Sequence, residues 1–274
     1  MPIAPAPARG RAKPVSESIL FRFASLGSGS RGNATLVQTA GTTLLIDNGF
    51  AVKELVRRAE LLGVDPAGVD AVLVTHEHGD HMRGVGAFSR RFDTQVWMSH
   101  GTWRAADFGR VPQLQLFNSH DGPIRIGDIQ VTPVAVPHDA REPTQFICRH
   151  AGLSLGLLTD LGCHTPHLLQ CYAELDALLL ECNHDPVMLR EGPYPPRLQA
   201  RVGGDFGHLN NQQAAQILSL INHQRLRHLV AAHLSEKNNA PQLAAQALCA
   251  VHPDIEQRLT LLQQDQVSRW FDLT

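Results

Sequence analysis

The sequence predicts a mixed chain of the α/β (α+β) class, in which short buried strands carry ionisable side chains to one edge of the molecule. Three observations predict it. Apolar runs such as Ala71-Val72-Leu73-Val74 and Ala177-Leu178-Leu179-Leu180 are continuous rather than alternating, as in strands covered on both faces. Between such runs lie stretches of helical period, for example Val52, Leu55, Val56, Ala59 and Leu62, closed by Gly63. Several of the apolar runs end abruptly in His, Asp or Glu, so that rigid elements present reactive groups at their ends.

Composition bounds the function. A chain of 274 residues, 43% of them hydrophobic and without a low-complexity linker, is expected to fold as one domain over residues 19–274. The formal net charge of -2 excludes a global basic field, so any polyanion has to be met locally. Five cysteines, at 148, 163, 171, 182 and 249, form no Cys-x-x-Cys pair and are odd in number, which speaks against a disulfide framework and fits a reducing cytoplasm. Residues 1–18, rich in Pro and Ala, lack the apolar core of a secretory signal and read as a disordered arm; no later run reaches membrane-spanning length.

In chain order, Ile19 to Ala24 reads as a strand running into the glycine-rich turn Gly27 to Asn33, then a second strand, then Thr43 to Ile46 ending at Asp47. After the helical stripe at 52–62 comes the buried run 71–74, a helix from Val85 to Phe92 and a strand from Thr94 to Ser99, with His100 and Trp103 at a strand-to-helix junction. Ile124 to Val136 alternates around Gly127-Asp128 as a hairpin and ends at Pro137-His138-Asp139. Two runs within Phe146 to Thr159, joined at His150-Ala151-Gly152, deliver Asp160; the run 177–180 delivers Glu181-Cys182-Asn183-His184-Asp185. Residues 190–209 are rich in Pro, Gly and Arg and are expected to loop over a cleft, followed by a helix from Gln212 to Ile221 begun by Asn210 or Asn211. The strand Leu229 to Ala232 ends at His233; a helix over Pro241 to Val251 and a strand near Leu259 to Leu262 finish the chain.

The chemistry concentrates in His76-Glu77-His78-Gly79-Asp80-His81, directly after a buried strand. In extended geometry His76 and His78 point to one side, and Gly79 lets Asp80 and His81 turn back, which gives two pairs of donors aimed at adjacent points. Imidazole nitrogens with a carboxylate oxygen suit zinc, manganese or iron. Asp160 is a second signal, because an acid ending an apolar strand is costly unless paired or bound to metal. This motif, His-x-His-x-Asp-His after a strand, resembles that of the metallo-β-lactamase superfamily. The segments Ser25 to Asn33, Glu181 to Asp185, Gly207 to Asn211 and His233 to Asn239 are similar to those of its YycJ/WalJ-type branch.

The resemblance, which extends from about Leu20 to Asn239, implies a four-layer αββα sandwich of two mixed sheets with helices outside. It implies two divalent metal ions, the first held by His76, His78, His138 and Asp160, the second by Asp80, His81, His233 and the shared Asp160. Asp47 would buttress the metal loop without ligating. Asn183 and His184 would support the site or line its cleft, with helix capping as the plain alternative for Asn183 or Asp185. Of the two late histidines, His233 leaves an apolar strand as the other ligands do, whereas His208 sits in a glycine-bordered loop. The metal role therefore goes to His233 and a proton- or hydrogen-bond-donating role to His208. Cys163 does not match the cysteine ligand of metallo-β-lactamases proper, and no insertion of β-CASP length is present, which disfavours both of those activities.

The function implied is dinuclear, metal-dependent hydrolysis by a metal-bridging hydroxide that Asp80 orients, with a phosphodiester substrate, DNA or RNA, and exonuclease action on DNA as the branch's activity. Of the 24 basic residues 21 are arginines, and Arg197 and Arg201 of the 190–209 segment are the expected phosphate contacts. Two other classes stay open at this point: a thioester or lactone hydrolase of the glyoxalase type, and a metal-binding sensor without turnover.

Overall fold

In the computed structural model, which describes residues 19–274, the run 71–74 explains the architecture. Ala71 and Leu73 enter one apolar cluster and Val72 and Val74 another, so the strand is sandwiched between a second sheet and a helical layer. Leu179 and Leu180 divide in the same way between the inter-sheet cluster and a third cluster on the far side. Continuous apolar runs therefore mark the strands buried on both faces. The expected N-terminal arm, residues 1–18, lies outside the described residues.

The first half of the chain runs β1 (Phe21–Gly27), β2 (Ala34–Thr39), β3 (Thr43–Ile46), α1 (Val52–Glu60), β4 (Ala71–Leu73), α2 (Gly79–Met82), α3 (Val85–Phe92), β5 (Gln95–Ser99), α4 (His100–Ala105) and β6 (Leu114–Phe117). The second half runs β7 (Ile124–Ile126), β8 (Ile129–Ala135), β9 (Thr144–His150), β10 (Leu153–Leu158), α5 (Pro166–Cys171), β11 (Ala177–Glu181), α6 (Pro186–Glu191), α7 (Pro196–Val202), α8 (Asn211–Leu220), β12 (His228–Ala232), α9 (Pro241–Cys249), α10 (Ile255–Arg258), β13 (Leu259–Leu261) and β14 (Phe271–Asp272). Two seven-stranded sheets result, ordered β14-β1-β2-β3-β4-β5-β6 and β13-β12-β11-β10-β9-β8-β7. Both are mixed: β1 to β3 and β7 to β10 pair antiparallel, β3 to β6 and β10 to β13 parallel.

Phe21, Phe23, Leu44 and Leu73 of the first sheet meet Val131, Phe146, Leu157 and Leu179 of the second. Outside, Leu55 and Phe88 of α1 and α3 cover one sheet, and Leu168, Ile217 and Leu248 of α5, α8 and α9 cover the other. This is the αββα sandwich.

Some expectations need correction. The segment 190–209 is not a continuous loop: Pro186 and Pro196 begin α6 and α7, where a missing N–H is harmless, and Asp185 caps α6 by accepting from the Val187 and Met188 amides. Strands β6 and β14 and helix α5 have no counterpart in the sequence reading; each is only two to six residues long, too short to show a period. The helix after Asn210 is begun as expected, with a capping box between Asn210 and Gln213. Trp103 packs on Phe108 and with the helical layer, as a junction residue.

Candidate metal centre

Strands β3, β4, β8, β10, β11 and β12 end at the same edge, and the residues just past those ends converge. Asp47, Asp160 and His233, following β3, β10 and β12, all take left-handed backbone angles, with φ of 61°, 54° and 54°. Such a conformation costs a non-glycine residue on the order of 1 kcal/mol or more and persists only where the surroundings enforce it. Here they do. The Asp47 carboxylate accepts from the Thr75 amide and hydroxyl at 2.8 Å each. The His233 amide donates to Ser28 Oγ at 2.8 Å, and the Asn183 side-chain amide donates to the His233 carbonyl at 3.0 Å. The metal loop itself folds against residues 48 and 49: the Asn48 amide donates to the His81 carbonyl, and a Cβ on Gly49 would lie 1.8 Å from the Asp80 carbonyl oxygen.

The histidines are oriented ring nitrogen by ring nitrogen. Nδ1 of His76 faces Thr75 Oγ1 at 3.0 Å, Nδ1 of His81 faces Asp47 at 2.8 Å, Nδ1 of His138 faces the Gly207 carbonyl at 3.0 Å, and Nδ1 of His233 faces Glu181 Oε1 at 3.0 Å. Each of these partners accepts a hydrogen bond from Nδ1–H, and in the neutral ring Nε2 then carries the lone pair. His78 is turned the other way, with Nδ1 3.2 Å from His138 Nε2. Among the described residues the donor atoms gather in four overlapping sets, each within 4.8 Å: His76, His78 and His138; His76, His81 and Asp160; Asp80, His81 and His233; and Asp160, Glu181, His208 and His233.

Divalent ions fit these sets. Among the described residues, His76 Nε2, His233 Nε2 and Asp160 Oδ2 are buried polar atoms without a hydrogen-bond partner. Orphaned atoms of this kind are rare and costly, and each belongs to a donor set that a cation would satisfy. The field agrees. Burial alone would depress a charged His233 ring, yet Asp160, Asp80 and Glu181 hold it up at about 10. Burial would likewise raise Asp160, but His233 and His81 keep its carboxyl well below the ordinary range. Negative charge outweighs desolvation, so the pocket draws cations.

Residues 27–180 match the sequence model of the Metallo-beta-lactamase superfamily. The chain belongs to that superfamily. It is 36% identical over 237 residues to a protein from Bacillus anthracis named Exodeoxyribonuclease YycJ, covering 84% of this chain and 89% of that one. It is 33% identical over 229 residues to Exodeoxyribonuclease WalJ of Streptococcus pneumoniae serotype 2, covering 82% of this chain and 85% of that one. The crystal structure of the metallo-beta-lactamase fold protein YhfI from Bacillus subtilis shares the fold, with a TM-score of 0.68 at 16% identity, over 91% of this chain and 99% of that one.

Within this metallo-beta-lactamase domain, sequence reasoning passed over Glu181. It appeared only as the first letter of a polar cluster, but it is the fully buried hub of the site. Its Oε1 lies 2.8 Å from His208 Nδ1 and 3.0 Å from His233 Nδ1, while Oε2 accepts from the Leu209 amide at 3.0 Å and the Leu161 amide at 3.3 Å. Despite burial, His208 and His233 hold the Glu181 carboxyl at about 2. The signal available was an acid at the end of an apolar strand, the same one that singled out Asp160. His208 is 20% exposed at the rim, its ring 5.2 Å from those of His138 and of His233. His184 is not among the converging donors: its ring is buried, which lowers its pKa to about 4, and its backbone carbonyl accepts from the Asn211 amide. Arg197 and Arg201 lie on α7, and Arg201 is ion-paired with Asp139, whose carboxylate is 3.5 Å from His138 Nε2.

Proposed function

We propose that this protein is a dinuclear metal-dependent phosphodiesterase that degrades DNA from an end, with the two ions held as the resemblance assigned them: His76, His78, His138 and Asp160 for one, Asp80, His81, His233 and Asp160 for the other. Zinc, manganese and iron all suit this mixture of nitrogen and oxygen donors. Support comes from membership of the superfamily, from the relatives' names and from the three orphaned donor atoms. The five cysteines are all free, which supports the cytoplasm as the location, and among the described residues no helix is long and apolar enough to cross a membrane.

The observation that carries the choice of substrate is the Glu181–His208 pair, 2.8 Å apart at the rim of the donor sets. Burial disfavours a charged His208 ring, but Glu181 beside it raises the pKa. Glu181 fixes the Nδ1 proton and favours a second proton on Nε2. A sugar alkoxide is a poor leaving group that needs a proton as it departs, whereas a thiolate leaves unaided. A buttressed proton donor therefore favours phosphodiester over thioester hydrolysis.

When bound, the ions would acidify water and neutralise phosphoryl charge. The chain's own part is then divided among named groups. Asp80 Oδ2, 3.5 Å from both His81 Nε2 and His233 Nε2, accepts a hydrogen bond from the attacking water and aims it. His208 Nε2 hands its proton to the departing oxygen, and Glu181 stabilises the ring as its charge changes. Arg197 and Arg201 hold flanking phosphates. The test is leaving-group dependence: His208→Ala is expected to keep its metals yet lose on the order of 10²–10⁴-fold on DNA, and far less on bis(p-nitrophenyl) phosphate. Equal losses on both esters would remove the acid role.

A further inference from the structure

Phe206 is out of place. It is 64% exposed and is the one aromatic residue among the large exposed hydrophobics of the described residues. It occupies the third position of a tight turn closed by the Gly207 amide donating to the Gly204 carbonyl at 2.8 Å. The turn is not loose. The His208 amide donates to the Val202 carbonyl at 2.8 Å, and a Cβ on Gly162 would lie 2.3 Å from the Asp205 carbonyl carbon. A Cβ on Gly207 would lie 2.2 Å from the carbonyl oxygens of Arg201 and Val202. Backbone thus packs on backbone on both sides of the turn, which leaves no core for the ring to enter. A large aromatic ring left exposed on a rigid support, with no packing gained, points to a use outside the fold.

Its position says what the use is. Phe206 is two residues from His208, so the two Cα atoms are at most about 7 Å apart. Helix α7 leads into the turn, and Arg197 and Arg201, four apart and therefore on one helical face, line an open groove with Pro195 and Leu198. A groove with two arginines beside a fixed, exposed aromatic ring has the make-up of a single-strand platform: cations for the backbone, a π-face for a base.

We propose that Phe206 stacks on a nucleobase next to the scissile phosphate, so that the strand is accepted with that base unpaired and without regard to its identity. This rests on the phosphodiesterase reading above and adds the feature of the substrate that the site grips. Stacking of this kind is sequence-tolerant, because every base offers a face, and a base held in a duplex has its faces occupied.

The experiment compares the parent, Phe206→Ala, Phe206→Leu and Phe206→Trp on two single-stranded oligodeoxynucleotides, one ordinary and one with abasic tetrahydrofuran residues at its end. On the ordinary strand Phe206→Ala and Phe206→Leu are expected to lose about tenfold or more in kcat/KM, mostly through KM, while Phe206→Trp restores it. On the abasic strand all four are expected to be alike. Equal kcat/KM for parent and Phe206→Ala on the ordinary strand, or an equal loss on both strands, overturns the stacking role and leaves the nuclease reading standing. A parent protein that cuts neither strand with its metals loaded overturns both.

Discussion

Glu181 and His208 are joined at 2.8 Å by a carboxylate oxygen that also reaches His233 at 3.0 Å. One buried side chain from the end of β11 therefore sets the tautomer of the proposed proton donor and of a proposed metal ligand at once. Glu181→Gln keeps the shape but removes the charge. It is expected to lower the turnover of DNA by about 10²-fold or more, as loss of an acid–base partner does, and to shift the alkaline limb of the profile to lower pH by weakening the hold on the His208 proton. A pH–rate profile of the variant identical to the parent's would remove Glu181 from catalysis.

Asp160 belongs to two of the four donor sets, with Oδ2 3.3 Å from His81 Nε2 and Oδ1 3.5 Å from His233 Nδ1. Asp160→Ala is expected to lower occupancy of both ions. Asp47→Asn, at a carboxylate that holds the far nitrogen of His81 and the Thr75 amide and hydroxyl, is expected to weaken metal affinity about 10–100-fold without abolishing it. Elemental analysis after dialysis against graded chelator decides between them, and full occupancy in Asp160→Ala would take it out of the bridge.

Much of the candidate site was legible because the proposed ligands follow strands. His76, His78, Asp80 and His81 stand in one motif, and His138, Asp160 and His233 each leave an apolar run, so resemblance and local pattern agreed on where to look. What escaped was whatever depends on partners distant in sequence. Glu181 gains its importance from His208 and His233, 27 and 52 residues away, and nothing in its own neighbourhood announces them. Asn183 reaches the His233 carbonyl, while the neighbouring His184 ring is buried and belongs to none of the donor sets. Helices α6 and α7 were hidden by the prolines that begin them, since Pro reads as a breaker unless it is recognised at a helix start.

The arginines of α7 are expected to separate polymer from monomer. Arg197→Ala and Arg201→Ala should raise KM for a polynucleotide far more than for a small aryl phosphodiester, and added salt should narrow the gap. Arg201→Ala also frees Asp139, beside His138, so its effect should be the larger of the two. Unchanged KM on both substrates would return the pair to ordinary surface charge.

Arg58 braces the glycine-rich turn from behind. Its guanidinium donates to the Leu26 carbonyl at 2.6 Å and the Gln264 carbonyl at 3.2 Å, and it stacks 4.3 Å over the Phe50 ring. Arg58→Ala would leave two buried carbonyls unpaired and is expected to cost roughly 2–4 kcal/mol of stability, read from urea midpoints.

Glu54, held at about 2 by Arg57 first and also by Arg58, adds a pH signature. A depressed carboxyl pKa stabilises the fold fully above its ordinary value of about 4.5 and ceases to as pH falls through about 2. Glu54→Gln is expected to flatten the loss of stability across that window. An unaltered acid limb would show the pair to be solvated in practice.

Hydrolysis of end-labelled DNA by protein stripped with chelator and then reloaded with Mn²⁺ or Zn²⁺ is the most direct measurement. The expected result is silence after stripping, stepwise release of mononucleotides after reloading, and none from His76→Ala or His81→Ala under the same conditions. Intact DNA after reloading, together with cleavage of a thioester by the same preparation, would contradict the phosphodiesterase reading.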